Sequence, residues 1–172
     1  MLGSILLELA IILVLIVANG LFAASEIAIV SARRSRLEQL AQAGSHGAVA
    51  ALTLAEHPNR FLSTVQVGIT LIGTFASVFG GASLSEALTT LLEGVPALAP
   101  YARTLALALV VLLISYLSLI VGELVPKRLA LQSAEAVSSA VAPAMRLISR
   151  VASPVVSFLT ASTELVLRLL GR

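Results

Sequence analysis

Three long runs of this chain carry no charged side chain: Leu9 to Ser25, Phe61 to Leu84 and Thr104 to Gly122. A helix that crosses the hydrocarbon of a bilayer needs about 20 mainly apolar residues. The first run extends to Ile5–Val30 if Glu8 near its start and Glu26 near its end are accepted, and all three are then long enough. Composition agrees with a lipid solvent. The chain is 58% hydrophobic and 12% charged, where soluble domains are about 45–50% apolar and about 25% charged. A conventional soluble globule and a disordered chain are both excluded. The first run lacks a basic leader and outlasts the apolar core of a cleaved signal, so it reads as a retained helix.

Other function classes fall away on residue inventory. The 172 residues include no Cys, which removes disulfides, zinc-thiolate sites and thiol catalysis. All nine acids are Glu, and the net charge is +2. That thin surplus cannot build the dense basic face of a nucleic-acid binder. His46 and His57 lack metal-ligand spacing and read as surface residues.

The fold class expected is an all-α integral membrane protein, a single transmembrane domain over residues 1–172 in the lipid bilayer. Three transmembrane helices are placed at about 5–32, 60–90 and 103–125. Lys and Arg concentrate after the first and third of them: Arg33, Arg34, Arg36 and Arg60, then Lys127, Arg128, Arg146 and Arg150. The turn at Glu93 to Tyr101 has none. The positive-inside rule then puts the N-terminus outside and the C-terminus in the cytoplasm. Juxtamembrane amphipathic helices are expected on the cytoplasmic side, at about 34–57 and 133–170. In the second, Arg146, Arg150, Ser153, Ser157, Thr160, Glu164 and Arg168 recur every three or four residues, a polar stripe on an apolar helix. Pro143 and Pro154 are expected to kink it. A fourth crossing at Leu147 to Leu170 is disfavoured by Arg150 and Glu164.

Polar groups inside a span normally face a helix, a cavity or a ligand. In the second span Ser63, Gln66, Thr70, Gly73 and Ser77 form one face, beside small-residue ridges that include Gly80 and Gly81. That face serves packing or an ion pathway. In the third span, Ser115, Ser118 and Gly122 share a face, and Glu123 follows. Pro126 has no N–H to give the carbonyl of Gly122 and crowds it. Gly122 is then expected to keep an unpaired carbonyl beside a carboxylate. Carbonyl, hydroxyl and carboxylate oxygens suit hard cations such as Mg²⁺ or Ca²⁺; a hydrated helix end is the plainer alternative. In the first span Asn19, Ala23 and Glu26 share a face, and Ser25 is rotated about 100° from Glu26. Glu26 serves an ion pathway or pairs with Arg33, Arg34 or Lys127.

Three segments carry a resemblance. Residues 24–37, Ala-Ser-Glu-Ile-Ala-Ile-Val-Ser-Ala-Arg-Arg-Ser-Arg-Leu, resemble the end of the first helix in the CorC/cyclin M family of magnesium transport proteins. Residues 61–70, Phe-Leu-Ser-Thr-Val-Gln-Val-Gly-Ile-Thr, resemble its second-helix opening, and residues 121–128, Val-Gly-Glu-Leu-Val-Pro-Lys-Arg, its third-helix motif. Order and spacing agree, over nearly the whole chain. The resemblance implies a homodimer in the plasma or inner membrane that exports Mg²⁺ coupled to Na⁺ entry. By position it implies an ion held by Ser25, the Gly122 carbonyl and Glu123, with polar residues of the second helix, Thr70 or Gln66. Many family members carry Asn between the positions of Ile69 and Gly73, where this chain has only Thr70 as a polar side chain. Asn19, Glu26, Ser63, Gln66, Gly73 and Ser118 are further pathway candidates. The resemblance also implies regulatory CBS domains in a longer protein, of which this chain is the membrane part.

A non-enzymatic transporter core is therefore expected, alternating access between the two sides. A non-transporting Mg²⁺ sensor or regulatory anchor would need the same ligands. An intramembrane hydrolase using Ser25 and Glu26 is disfavoured, because adjacent helix residues face apart and no His or Asp stands near to act as base.

Overall fold

The computed structural model describes residues 2–79 and 82–171, and every regular element among them is helical. The helices are α1 (Leu2–Ser31), α2 (Arg34–Gln42), α3 (His46–Glu56), α4 (Pro58–Phe79), α5 (Ala82–Glu93), α6 (Ala102–Leu119), α7 (Val125–Gln132) and α8 (Ala134–Leu169). A short 3₁₀ turn, Ala99–Tyr101, leads into α6, and a π-helical turn, Ile120–Leu124, joins α6 to α7. Among the described residues two helical stretches are long and apolar enough to cross a membrane, Ile5–Ser31 and Ala99–Gln132. The second is longer at both ends than the expected interval of about 103–125. The interval expected for the second span, about 60–90, holds α4 and α5. Gly80 and Gly81 of the small-residue ridges lie outside the described residues.

The chain divides into two compact units, Met1–Leu21 with Ile69–Pro126, and Phe22–Gly68 with Lys127–Arg172. In the first, α5 packs on α6. Ala102, Ala106 and Val110 are buried at helical spacing on α6, while Leu112, Leu113 and Tyr116 are exposed. A helix with small residues inward and large apolar residues outward is built for a lipid surround, where close helix approach replaces the hydrophobic drive.

In the second unit, α3 packs on α8. Ala48 and Ala51 are fully buried on α3, and Ser138 and Ala142 on α8. Gly47 makes that approach possible, because a Cβ there would overlap the main-chain carbonyl of Ser139. Ser45 caps α3 by accepting a hydrogen bond from the Ala48 amide at 3.2 Å. Phe61, Leu37 and Val65 are the bulkiest fully buried side chains. Pro143 and Pro154 both lie within α8, which continues through them to Leu169.

Candidate functional site

Proline at 126 and the wide turn before it shape the site in the first unit. Across that turn the Val125 amide donates to the carbonyl of Ile120, five residues back. Single π-turns of this kind concentrate at functional sites. Gly122 lies inside the turn and is buried. Its carbonyl is not stranded as Pro126 alone would leave it: the Asn19 amide donates Nδ2–H to it at 2.9 Å. The correction has a physical reason. A carbonyl denied its backbone donor in an apolar setting must find another, and Asn19 of α1 supplies it.

That bond orients Asn19 uniquely. The side chain is 9% exposed, and turning the amide over would set two oxygens against each other. Its Oδ1 is consequently buried with no hydrogen-bond partner among the described residues. A close approach of α1 to this turn allows the contact. A Cβ on Gly122 would stand 3.3 Å from Asn19 Nδ2 and from the Ile16 carbonyl oxygen, and one on Gly20 would stand 2.9 Å from the Pro126 ring. Glu123, half-buried, follows Gly122 in the same turn. The first unit thus brings together a buried amide oxygen and a glycine carbonyl, with a carboxylate next in sequence. Among the described residues no three of His, Cys, Asp and Glu cluster as metal ligands; amide, carbonyl and carboxylate oxygens are the donor types that hard cations prefer.

The other expected residues fall elsewhere. Ser118 is half-buried, whereas Thr70 and Gly73 of the first unit are exposed. In the second unit Ser25 is fully buried, and its hydroxyl donates to the Phe22 carbonyl at 2.8 Å. Its proton is thereby committed, and its oxygen keeps acceptor capacity. Glu26 pairs with Lys127, Oε2 to Nζ at 3.7 Å, each side chain about a quarter exposed. Glu26, Ser63 and Gln66 do meet: they line one cavity of about 410 Å³ with Thr160 and Thr163 of α8. Thr163 had no signal in the sequence, because it stands off the polar stripe on which Thr160 lies.

At the start of α8, Glu135 accepts from the Arg33 amide at 3.3 Å, with the Arg33 guanidinium 3.8 Å away. Its own main-chain N–H, then the Arg33 amide and the charges of Arg33 and Arg36, hold its carboxyl below the usual carboxylate range.

A family model described as the cyclin M transmembrane N-terminal domain matches residues 10–172. Similar curated proteins include a UPF0053 protein of Synechocystis sp., 54% identical over 169 residues, which cover 98% of this chain and 38% of that protein. The UPF0053 protein YhdT of Bacillus subtilis is 36% identical over 166 residues, 95% of this chain and 36% of that one. A Haemophilus influenzae protein named polyamine export protein is 30% identical over 162 residues, 92% of this chain and 36% of that one. The chain spans less than two fifths of the length of these relatives.

Proposed function

The chain belongs to the cyclin M transmembrane domain family, and from that premise we propose that it is the membrane core of a Mg²⁺ transporter, exporting Mg²⁺ against Na⁺ entry. Three crossings, made by α1, by α4 with α5, and by α6 through α7, set the N-terminus outside and the C-terminus in the cytoplasm. Two copies form the working unit, with CBS domains of the longer protein attached on the cytoplasmic side.

The observation that carries the ion assignment is the buried, unpartnered Oδ1 of Asn19 beside the Gly122 carbonyl. A desolvated oxygen without a partner costs about 1–3 kcal/mol, and a cation passing through would remove that cost. Mg²⁺ sheds its waters reluctantly and needs several oxygens in return. The Gly122 carbonyl, with two lone pairs, can serve an amide and a cation together. Glu123 would supply one negative charge and Thr70 a further oxygen. One carboxylate keeps binding weak enough for release. Ser118 and Gly73 of the same unit would serve the route to and from the site.

A second reading is favoured by one relative. The Haemophilus influenzae protein is named for polyamine export, and the cavity bearing Glu26, Gln66, Thr160 and Thr163 offers acceptors to an organic cation. Flux into proteoliposomes of the full-length protein separates the readings. Export of Mg²⁺ predicts Mg²⁺ flux that responds to a Na⁺ gradient and does not respond to a polyamine. Polyamine flux without Mg²⁺ flux would overturn the proposal, and so would no flux of either, which is the behaviour of a sensor or anchor.

A further inference from the structure

Three arginines from two helices line one cavity in the second unit. Arg60 comes from the first turn of α4, and Arg146 and Arg150 stand one turn apart on α8. With Thr53, His57 and Ser149 they bound about 180 Å³, and no carboxylate among the described residues lines it. Among the described residues Arg146 and Arg150 form no ion pair, and Arg60 donates to the neutral hydroxyl of Ser153. Like charges one turn apart repel, and a third guanidinium on the same cavity adds to that repulsion. The wall holds a second anomaly. Ser149 is 8% exposed, and its Oγ has no hydrogen-bond partner among the described residues. A buried hydroxyl without a partner carries a desolvation penalty. Gathered cations and an idle buried donor are both relieved by one kind of occupant, an anion with several acceptor oxygens.

We propose that this cavity binds a phosphate group, held by the guanidinium forks of Arg146 and Arg150, closed by Arg60 and reached by the Ser149 hydroxyl. Guanidinium matches phosphate oxygens in pairs, which an ammonium does not. The volume is below the roughly 300–1,000 Å³ of a drug-sized ligand site, so the occupant is no larger than a headgroup. Two sources fit, a phospholipid headgroup and free phosphate in solution. The flank of α8 favours the lipid, since Leu147 and Val151, beside the arginines, are 59% and 72% exposed, and basic pockets at a membrane surface take acidic headgroups. The site is independent of Mg²⁺ transport, and either can fail alone.

The test counts lipids retained by the full-length protein in native mass spectrometry, after exchange into phosphatidylcholine vesicles with a minor fraction of phosphatidic acid. Wild-type protein is expected to retain phosphatidic acid in preference to phosphatidylcholine. The double variant Arg146→Gln/Arg150→Gln is expected to lose about tenfold in that retention, and Ser149→Ala about threefold. Arg168→Gln, on the same helix outside the cavity, should lose nothing. The double variant Arg146→Lys/Arg150→Lys, which keeps charge without the forks, should fall in between and covers the case of a glutamine variant that does not fold. Displacement of the lipid by inorganic phosphate would assign the site to phosphate from either source, and resistance would assign it to the headgroup. Equal retention by wild type and the variants, or equal loss in Arg168→Gln, would overturn the proposal.

Discussion

The two units of this chain solve the problem of polar groups in opposite ways. The first holds one Arg and four Glu, and the second holds ten of the basic residues and five Glu. In the first, a defect in the backbone at Pro126 is answered by an uncharged amide, Asn19 to Gly122. In the second, several charges answer one another: Glu26 with Lys127, Arg33 with Glu135, Arg34 with Glu38 and Glu56. A neutral hydrogen bond avoids the cost of burying a charge, whereas partly exposed side chains such as Glu26 and Lys127 keep part of their hydration.

The contrast can be broken most sharply at Gly47. An added methyl would overlap the Ser139 carbonyl, backbone on backbone, so Gly47→Ala should cost about 3 kcal/mol and lower the unfolding midpoint in detergent. An unchanged midpoint would mean that α3 and α8 are not so closely packed. Asn19→Leu comes next. It removes the donor to Gly122, with an expected loss of about 1–3 kcal/mol that should vary little with salt. Glu26→Gln tests the charged strategy of the second unit. A partly exposed pair contributes up to about 1 kcal/mol, so the loss should be smaller than at Asn19 and should shrink as salt rises.

The smallest effect is at Glu135. Its carboxyl is held low in the folded state, so its stabilising contribution is complete above the ordinary carboxylate pKa and is lost as pH falls through the folded value. The unfolding midpoint should decline at acidic pH, and Glu135→Gln should flatten that part of the profile. An identical acid limb in the variant would remove Glu135 from the account.

What the sequence could reveal followed the same division. Long uncharged runs announce the helices Ile5–Ser31 and Ala99–Gln132, because partition into lipid depends on composition summed along a segment. The chemistry of Pro126 was legible for the same reason: a missing N–H is local. Its answer was not, since Asn19 lies 103 residues away and no spacing rule reports such a pairing. The π-turn at Ile120–Leu124 has no periodic signature either. Glu26 was one acid with three possible partners, and only packing selects Lys127. On α8 the regular polar stripe read as a single face, yet Arg146 and Arg150 line one cavity and Thr160 another.

The central claim is that the amide of Asn19, the carbonyl of Gly122 and the carboxylate of Glu123 form the oxygen set through which Mg²⁺ passes. Mg²⁺ flux in proteoliposomes of the full-length protein, compared among wild type, Asn19→Leu and Glu123→Ala, tests it most directly. The account predicts a fall of about tenfold or more in both variants, with protein that remains folded. Flux equal to wild type in both would contradict it.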